Sequence, residues 1–160
     1  MLGYYKEPEL TKEIMTPDGW LKTGDLGLFD KDGYLYIRER MKNVIVRSGG
    51  ENIYPEEIES VINTYHHVNE SLVLDRNGKL TALVNFDIEK IRLHYKHHLH
   101  LFNHQNESEY INQEIKRLSS ELQTFIKHRL NKFSQVQEVV YYPEAFEKTA
   151  TLKIKRYLYS

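Results

Sequence analysis

Apolar positions along this chain recur with two different periods, and the changes of period mark out its elements. From Ile111 onward, Ile115, Leu118, Leu122, Phe125 with Ile126, and Leu130 step by three and four, which predicts a long amphipathic helix with Glu107 and Glu109 at its start. Ile58, Val61, Ile62 and Tyr65 repeat the pattern behind Pro55-Glu56-Glu57, a proline and two carboxylates suited to a helix's first turn. Leu72-Val73-Leu74 and the run from Leu80 to Phe86 flank Asn77-Gly78, which predicts a β-hairpin. A second hairpin is predicted where Asp30-Lys31-Asp32-Gly33 separates Leu28-Phe29 from Tyr34-Leu35-Tyr36-Ile37. Val44-Ile45-Val46 and Val136 to Tyr142 read as strands, Ser48-Gly49-Gly50 as a loop, and Glu7 to Met15 and Ile88 to Gln105 as helical.

Helices alternating loosely with antiparallel hairpins indicate a small α+β domain over residues 41–160. Residues 1–40 carry dense turn signals (Pro17-Asp18-Gly19, Gly24-Asp25) and too few apolar positions for a core, so they read as a fragment of a neighbouring domain. With 160 residues the chain is long enough for one domain and a piece of another. Its 22 Lys and Arg nearly balance 23 Asp and Glu, so no whole-chain field draws it to nucleic acid or anionic lipid. No apolar run approaches a membrane span, and the first residues lack the pattern of a secretory signal. The absence of cysteine excludes disulfides, thiolate metal sites and a cysteine nucleophile, and is compatible with a cytoplasmic location.

Three segments carry candidate chemistry. In Trp20-Leu21-Lys22-Thr23-Gly24-Asp25-Leu26 the glycine permits a sharp turn that exposes Asp25, whose carboxylate could accept hydrogen bonds from paired ribose hydroxyls. On residue chemistry alone, a plain turn is the better reading. The stretch from Arg38 to Glu59 is a charged link, a strand, a glycine turn at Ser48-Gly49-Gly50 and a capped helix; paired glycines let a ligand approach the backbone, or make an ordinary connection. In Glu147-Lys148-Thr149-Ala150-Thr151-Leu152-Lys153-Ile154-Lys155-Arg156 a loop lysine could meet a phosphate as negative charge shifts, though a solvated basic tail is the simpler account.

The order and spacing of these segments are specific where each alone is not. Gly-Trp-Leu-Lys-Thr-Gly-Asp-Leu, then Arg-x-Lys-Asn-Val-Ile-Val-x-Ser-Gly-Gly-Glu-Asn-Ile-Tyr-Pro-x-Glu-Ile-Glu, then Lys-Thr-Ala-Thr-x-Lys-Ile-Lys-Arg together resemble the adenylate-forming superfamily, and within it the fatty-acid CoA ligases. The resemblance implies the small C-terminal lid domain of such an enzyme, a small β-sheet with flanking helices, preceded by a β-hairpin remnant of the large N-terminal adenylating domain. It implies that Asp25 holds the ribose hydroxyls of ATP, that Arg40 also reaches the ribose, and that Lys42 is the hinge between domains. Ser48, Gly49 and Gly50 match the loop bordering the CoA path, and Lys153 matches the lysine that bridges the acid and the α-phosphate. The implied substrates are a carboxylic acid, most like a fatty acid, ATP with Mg, and CoA; the implied partner is the adenylating domain of the same polypeptide. Two positions depart from the pattern: Glu39 replaces a glycine before Arg40, and Leu152 replaces the glycine before Lys153, leaving Lys155 as a reserve candidate.

The chain carries no Ser/Thr/Gly-rich phosphate loop ending in Pro-Lys-Gly and no Tyr-Gly-x-Thr-Glu segment, so it is expected to be inactive alone. Other readings are a different acid substrate, a carrier-protein thiol acceptor, or a non-catalytic basic-tail module binding single-stranded nucleic acid through Lys148, Lys153, Lys155, Arg156, Tyr157 and Tyr159. Near-zero net charge argues against the last. His94, His97, His98, His100 and His104 could suggest a metal site, but no carboxylate pattern completes one, and a polar helix surface with no metal is the expectation.

Overall fold

The computed structural model describes residues 1–97 and 106–159. The chain separates into two compact units, Met1–Val44 and Ile45–Ser160, a division four residues beyond the end of the charged link at Arg40.

The first unit holds helix α1 (Pro8–Ile14) and a hairpin of β1 (Asp25–Phe29) and β2 (Leu35–Arg40). Helix α1 lies within the predicted Glu7 to Met15; proline opens it and Glu9 lies in its first turn. Asp30 closes the hairpin: its Oδ1 accepts from the amides of Asp32 and Tyr34, each at 2.9 Å. Register shifts by one residue between Leu26, opposite Glu39, and Gly27, opposite Ile37: a β-bulge at Arg38. Among the described residues of this unit only Glu39 is buried, and no apolar side chain is. Trp20, Phe29, Tyr34 and Ile37 stand largely in solvent.

The second unit has a core. Strands β3 (Ile45–Val46) and β4 (Asn52–Ile53) form a short antiparallel pair ahead of helix α2 (Pro55–Ile62). Strands β5 (Val68–Arg76), β6 (Lys79–Phe86) and β7 (Glu138–Tyr141) form a sheet in that order, with β5 antiparallel and β7 parallel to the central β6. The β5–β6 turn is the predicted Asn77-Gly78, with φ of +53° and +78° as a two-residue hairpin demands. Helix α3 (Ile88–His97) and helix α4 (Glu107–Arg129) form the crossover to β7. Asn106 caps α4, its side chain accepting from the Glu109 amide at 2.9 Å.

Alternation along the strands sends side chains to two faces. Val73, Leu80, Ala82, Val84 and Phe86 pack with Ile58 and Ile62 of α2 and with Leu118, Leu122 and Ile126 of α4. Leu72, Leu74 and Leu83 point the other way, onto Phe146 with Tyr142, Ile154 and Tyr159 against it. The central strand is therefore buried on both sides, which explains why Leu80 to Phe86 reads as a continuous run. The tail beyond residue 142 is not a solvated appendage: the Tyr142 and Phe146 rings stack at 4.8 Å, and Tyr159 meets Phe146 edge-on at 5.2 Å. Strand β7 is shorter than the predicted 136–142, because Val136 already turns into the core and Gln137 bonds backwards to Leu80.

Candidate functional site

In the first unit the hairpin register sets Asp25 opposite Arg40. The Arg40 guanidinium lies with Nε 2.8 Å from Asp25 Oδ1 and donates through Nη1 to the Thr23 carbonyl at 3.1 Å. Gly24, at φ +72°, turns the chain into β1, and its carbonyl accepts from the Met41 amide at 2.8 Å. Below the pair, buried Glu39 accepts from the Arg40 amide at 3.0 Å and from Asn43 Nδ2 at 3.3 Å. The residue that replaces a glycine before Arg40 thus fastens this corner. Both members of the exposed pair stay accessible, at 25% for Asp25 and 48% for Arg40. An acceptor carboxylate beside a fixed donor fork is a chemistry suited to a vicinal diol.

Lys42 lies in the one-turn 3₁₀ helix Met41–Asn43, exposed, two residues ahead of the boundary between the units.

In the second unit Ser48, Gly49 and Gly50 form the exposed tip between β3 and β4. Gly50, at φ +84°, donates to the Arg47 carbonyl at 2.8 Å, and the Arg47 amide donates to Glu51 at 3.0 Å. A Cβ on Gly49 would lie 2.4 Å from the Glu51 carboxylate, a side-chain end that can swing aside; the left-handed φ of Gly50 is what favours glycine at this tip. The Arg47 side chain anchors the loop on the β5–β6 turn, bonding to the Gly78 carbonyl and pairing with Asp75 at 3.4 Å.

Lys153 occupies a different loop, directly after the turn 149–152 in the tail. The Thr149 amide donates to the Lys153 carbonyl at 2.8 Å, and the Lys153 amide returns a bond to the Thr149 hydroxyl at 3.2 Å. Leu152 takes the left-handed conformation, φ +62°, that a glycine would adopt freely. The Lys153 side chain is exposed and makes no ion pair with the described residues, whereas Lys155 is held by Glu147 at 3.2 Å. Of the two lysines, Lys153 is the one free to reach a ligand.

Sequence reasoning did not find the residues that hold this turn. Arg156 Nη2 lies 2.5 Å from Glu59 Oε2, with both side chains largely buried, and Nη1 donates to the Val73 carbonyl at 3.2 Å. Burial pushes the Glu59 carboxyl up to about 7, against the opposing pull of Arg156 and the Val73 amide. The signal was faint: a charged residue beside Ile58 on the apolar stripe of a helix. His94 meets Tyr110 through Nδ1 at 2.8 Å; His98, His100 and His104 lie outside the described residues. Among the described residues no group of three His, Cys, Asp or Glu could hold a metal ion, and no helix is long and apolar enough to cross a membrane.

With this geometry in place, comparison with known proteins gives the class the chain is similar to: the C-terminal part of adenylate-forming, AMP-binding acyl-CoA ligases. No protein-family model matches it. Among its relatives is a probable acyl-activating enzyme 4 of Arabidopsis thaliana, 33% identical over 158 residues that are 99% of this chain and 25% of that protein. A sulfoacetate–CoA ligase of Cupriavidus necator is 52% identical over 71 residues, 44% of this chain and 14% of its own. The long-chain-fatty-acid–CoA ligase FadD13 of Mycobacterium tuberculosis is 49% identical over 85 residues, 51% of this chain and 16% of its own. Among solved structures, the O-succinylbenzoate CoA synthetase MenE of Bacillus subtilis, in complex with ATP and magnesium ion, superposes with a TM-score of 0.69 at 28% identity over 98% of this chain and 27% of that one. The ATP-bound RpMatB-BxBclM chimera B1 gives 0.68 at 30% identity over 98% and 27%. The chain spans about a quarter of the length of the relatives it matches end to end.

Proposed function

We propose that this chain supplies the mobile C-terminal part of an ATP-dependent, AMP-forming acid–CoA ligase, with a large adenylating domain of the same polypeptide as its partner. The observation that carries the reading is Lys153: an exposed ammonium, in no ion pair with the described residues, closing an anchored turn in a chain that aligns along 99% of its length with an acyl-activating enzyme. In the reaction a carboxylate attacks the α-phosphate of ATP, forming acyl-adenylate and expelling pyrophosphate. Lys153 sits between the two anions and neutralises the charge gathering there. Asp25 and Arg40 hold the ribose. Residues 45–160 then turn about Lys42, withdrawing Lys153 and bringing the Ser48-Gly49-Gly50 tip toward the adenylate. The CoA thiol attacks the acyl carbonyl and AMP leaves, so one moving domain serves both steps.

The large domain would supply the grip on the triphosphate and its magnesium. Two charge-assisted bonds at Asp25 contribute about 3–6 kcal/mol, an affinity between several millimolar and some tens of micromolar before the cost of ordering a nucleotide on an open surface consumes much of it. The chain alone is therefore a poor ATP binder and no catalyst. The exposed apolar face of the β1–β2 hairpin supports the same partner, since Phe29, Tyr34, Leu35 and Ile37 need a surface to cover them.

A fatty acid is the first acid to test, on the strength of the FadD13 relative; a stretch equally close belongs to a sulfoacetate ligase, so the acid itself is the open variable. The deciding experiment measures the half-reactions separately in the whole polypeptide. Lys153→Ala slows adenylation by about a hundredfold or more while thioester formation from supplied acyl-adenylate stays near normal. Equal loss in both steps removes Lys153 from the role.

A further inference from the structure

A lysine carries its charge on a flexible four-carbon stem, so the accuracy of its placement is set by the backbone from which the stem leaves. In this chain that backbone is held on both legs by a carboxylate from the folded scaffold. On the first leg, Glu70 of β5 pairs with Lys148 at 2.5 Å through Oε2 and accepts from the Phe146 amide at 3.1 Å through Oε1. On the second, Glu59 of α2 pairs with Arg156 at 2.5 Å through Oε2 and accepts from the Val73 amide at 2.7 Å through Oε1. The Arg156 guanidinium closes the ring by donating to the Val73 carbonyl at 3.2 Å. Between the anchors the legs bond to each other, from the Lys155 amide to Glu147 and from the Thr149 amide to Lys153, each at 2.8 Å.

A buried carboxylate–guanidinium pair is an expensive way to close a gap that two apolar side chains would fill with less desolvation. What the pair adds is direction: three bonds from one guanidinium and one carboxylate fix the tail in a single register against β5. The anchored residue is three positions from Lys153, at the base of its turn.

We propose that Glu59 and Arg156, with Glu70 and Lys148 as the second anchor, are positioning residues that fix the base of the Lys153 turn and so set where its ammonium is delivered. The inference rests on the role given to Lys153 above. It assigns to a buried ion pair an effect on one half-reaction and not the other, because only adenylation uses the lysine.

The test compares Arg156→Met, Arg156→Lys and Lys153→Ala in the polypeptide that joins this chain to its adenylating domain. Arg156→Met slows adenylation by about tenfold to a hundredfold, the effect of a small misplacement at a reacting centre, and leaves thioester formation from supplied acyl-adenylate within about twofold. Arg156→Lys, which keeps the charge but not the fork, falls between Arg156→Met and the parent. If Lys153→Ala slows adenylation but Arg156→Met does not, or slows both steps alike, the positioning role is overturned and the role of Lys153 stands. If Lys153→Ala slows neither step, the role of Lys153 itself has failed. Should Arg156→Met not fold, Glu59→Gln takes its place, with a smaller loss expected in adenylation alone. Amide exchange adds a readout independent of turnover: the Lys153 amide exchanges faster in Arg156→Lys than in the parent, and an unchanged rate overturns the proposal.

Discussion

At the scale of single residues, Leu152 shows how a departure in sequence becomes a cost in conformation. Its φ of +62° puts Cβ against the following carbonyl, and its side chain is 80% exposed, so packing returns little. Leu152→Gly relieves that strain but frees the unfolded chain, and the net expectation is a gain of up to about 1 kcal/mol in urea titration. Leu152→Val, branched at Cβ, is expected to lose about 1–2 kcal/mol in the same measurement. Glu59 gives a pH dependence with a definite sign. Its carboxyl titrates at about 7 in the folded chain against an ordinary 4.5, so the folded form keeps a proton that the unfolded form has already released. The stability this group contributes is complete below about 4.5 and is lost as pH rises through about 7, with a slope of up to about 1.4 kcal/mol per pH unit. Glu59→Gln should flatten stability across that window; an unchanged slope would assign it to other groups.

At the scale of elements, helix α4 was legible because its stripe is long and regular. Leu118, Leu122 and Ile126, each nearly or wholly buried, lie where the three-and-four spacing puts them. Leu122→Ala is expected to cost about 2–5 kcal/mol, and Asn106→Ala, at the cap, about 1 kcal/mol, both read from denaturation midpoints at constant slope. The β5–β6 hairpin was equally plain, because Asn77-Gly78 states its turn locally. Strand β7 was legible as a strand, but its place in the sheet and the role of the tail were not, for a physical reason. The partner of Glu138 across the ladder is Thr81, far back in the chain, and a parallel pairing leaves no local turn to read. Phe146, Ile154 and Tyr159 obey no period, so nothing in their spacing told that they cover the second face of the sheet. In the candidate site, Asp25, Arg40 and Lys153 were singled out as expectations by the order of the segments that contain them. The clamp of Glu59 on Arg156 was not, because it joins residues whose proximity depends on the finished sheet.

At the scale of the whole molecule the two units differ in their capacity to stand alone. Met1–Val44 buries no apolar side chain among its described residues, while Ile45–Ser160 contains both hydrophobic clusters. A fragment of residues 45–160 is therefore expected to unfold cooperatively in urea, with a dichroism spectrum retaining its helices, and a fragment of residues 1–44 to show no transition. A cooperative transition in the short fragment would mean that its hairpin is stabilised by something other than burial.

The doubly covered strand β6 also bears on quality control during synthesis. Residues 142–159 carry both Lys153 and the cover over Leu72, Leu74 and Leu83. A ribosome that stopped near residue 141 would release a product whose sheet presents a bare greasy flank, an invitation to chaperones, proteases or self-association. The omission that removes Lys153 thus also exposes the product to disposal, with no need to inspect its chemistry.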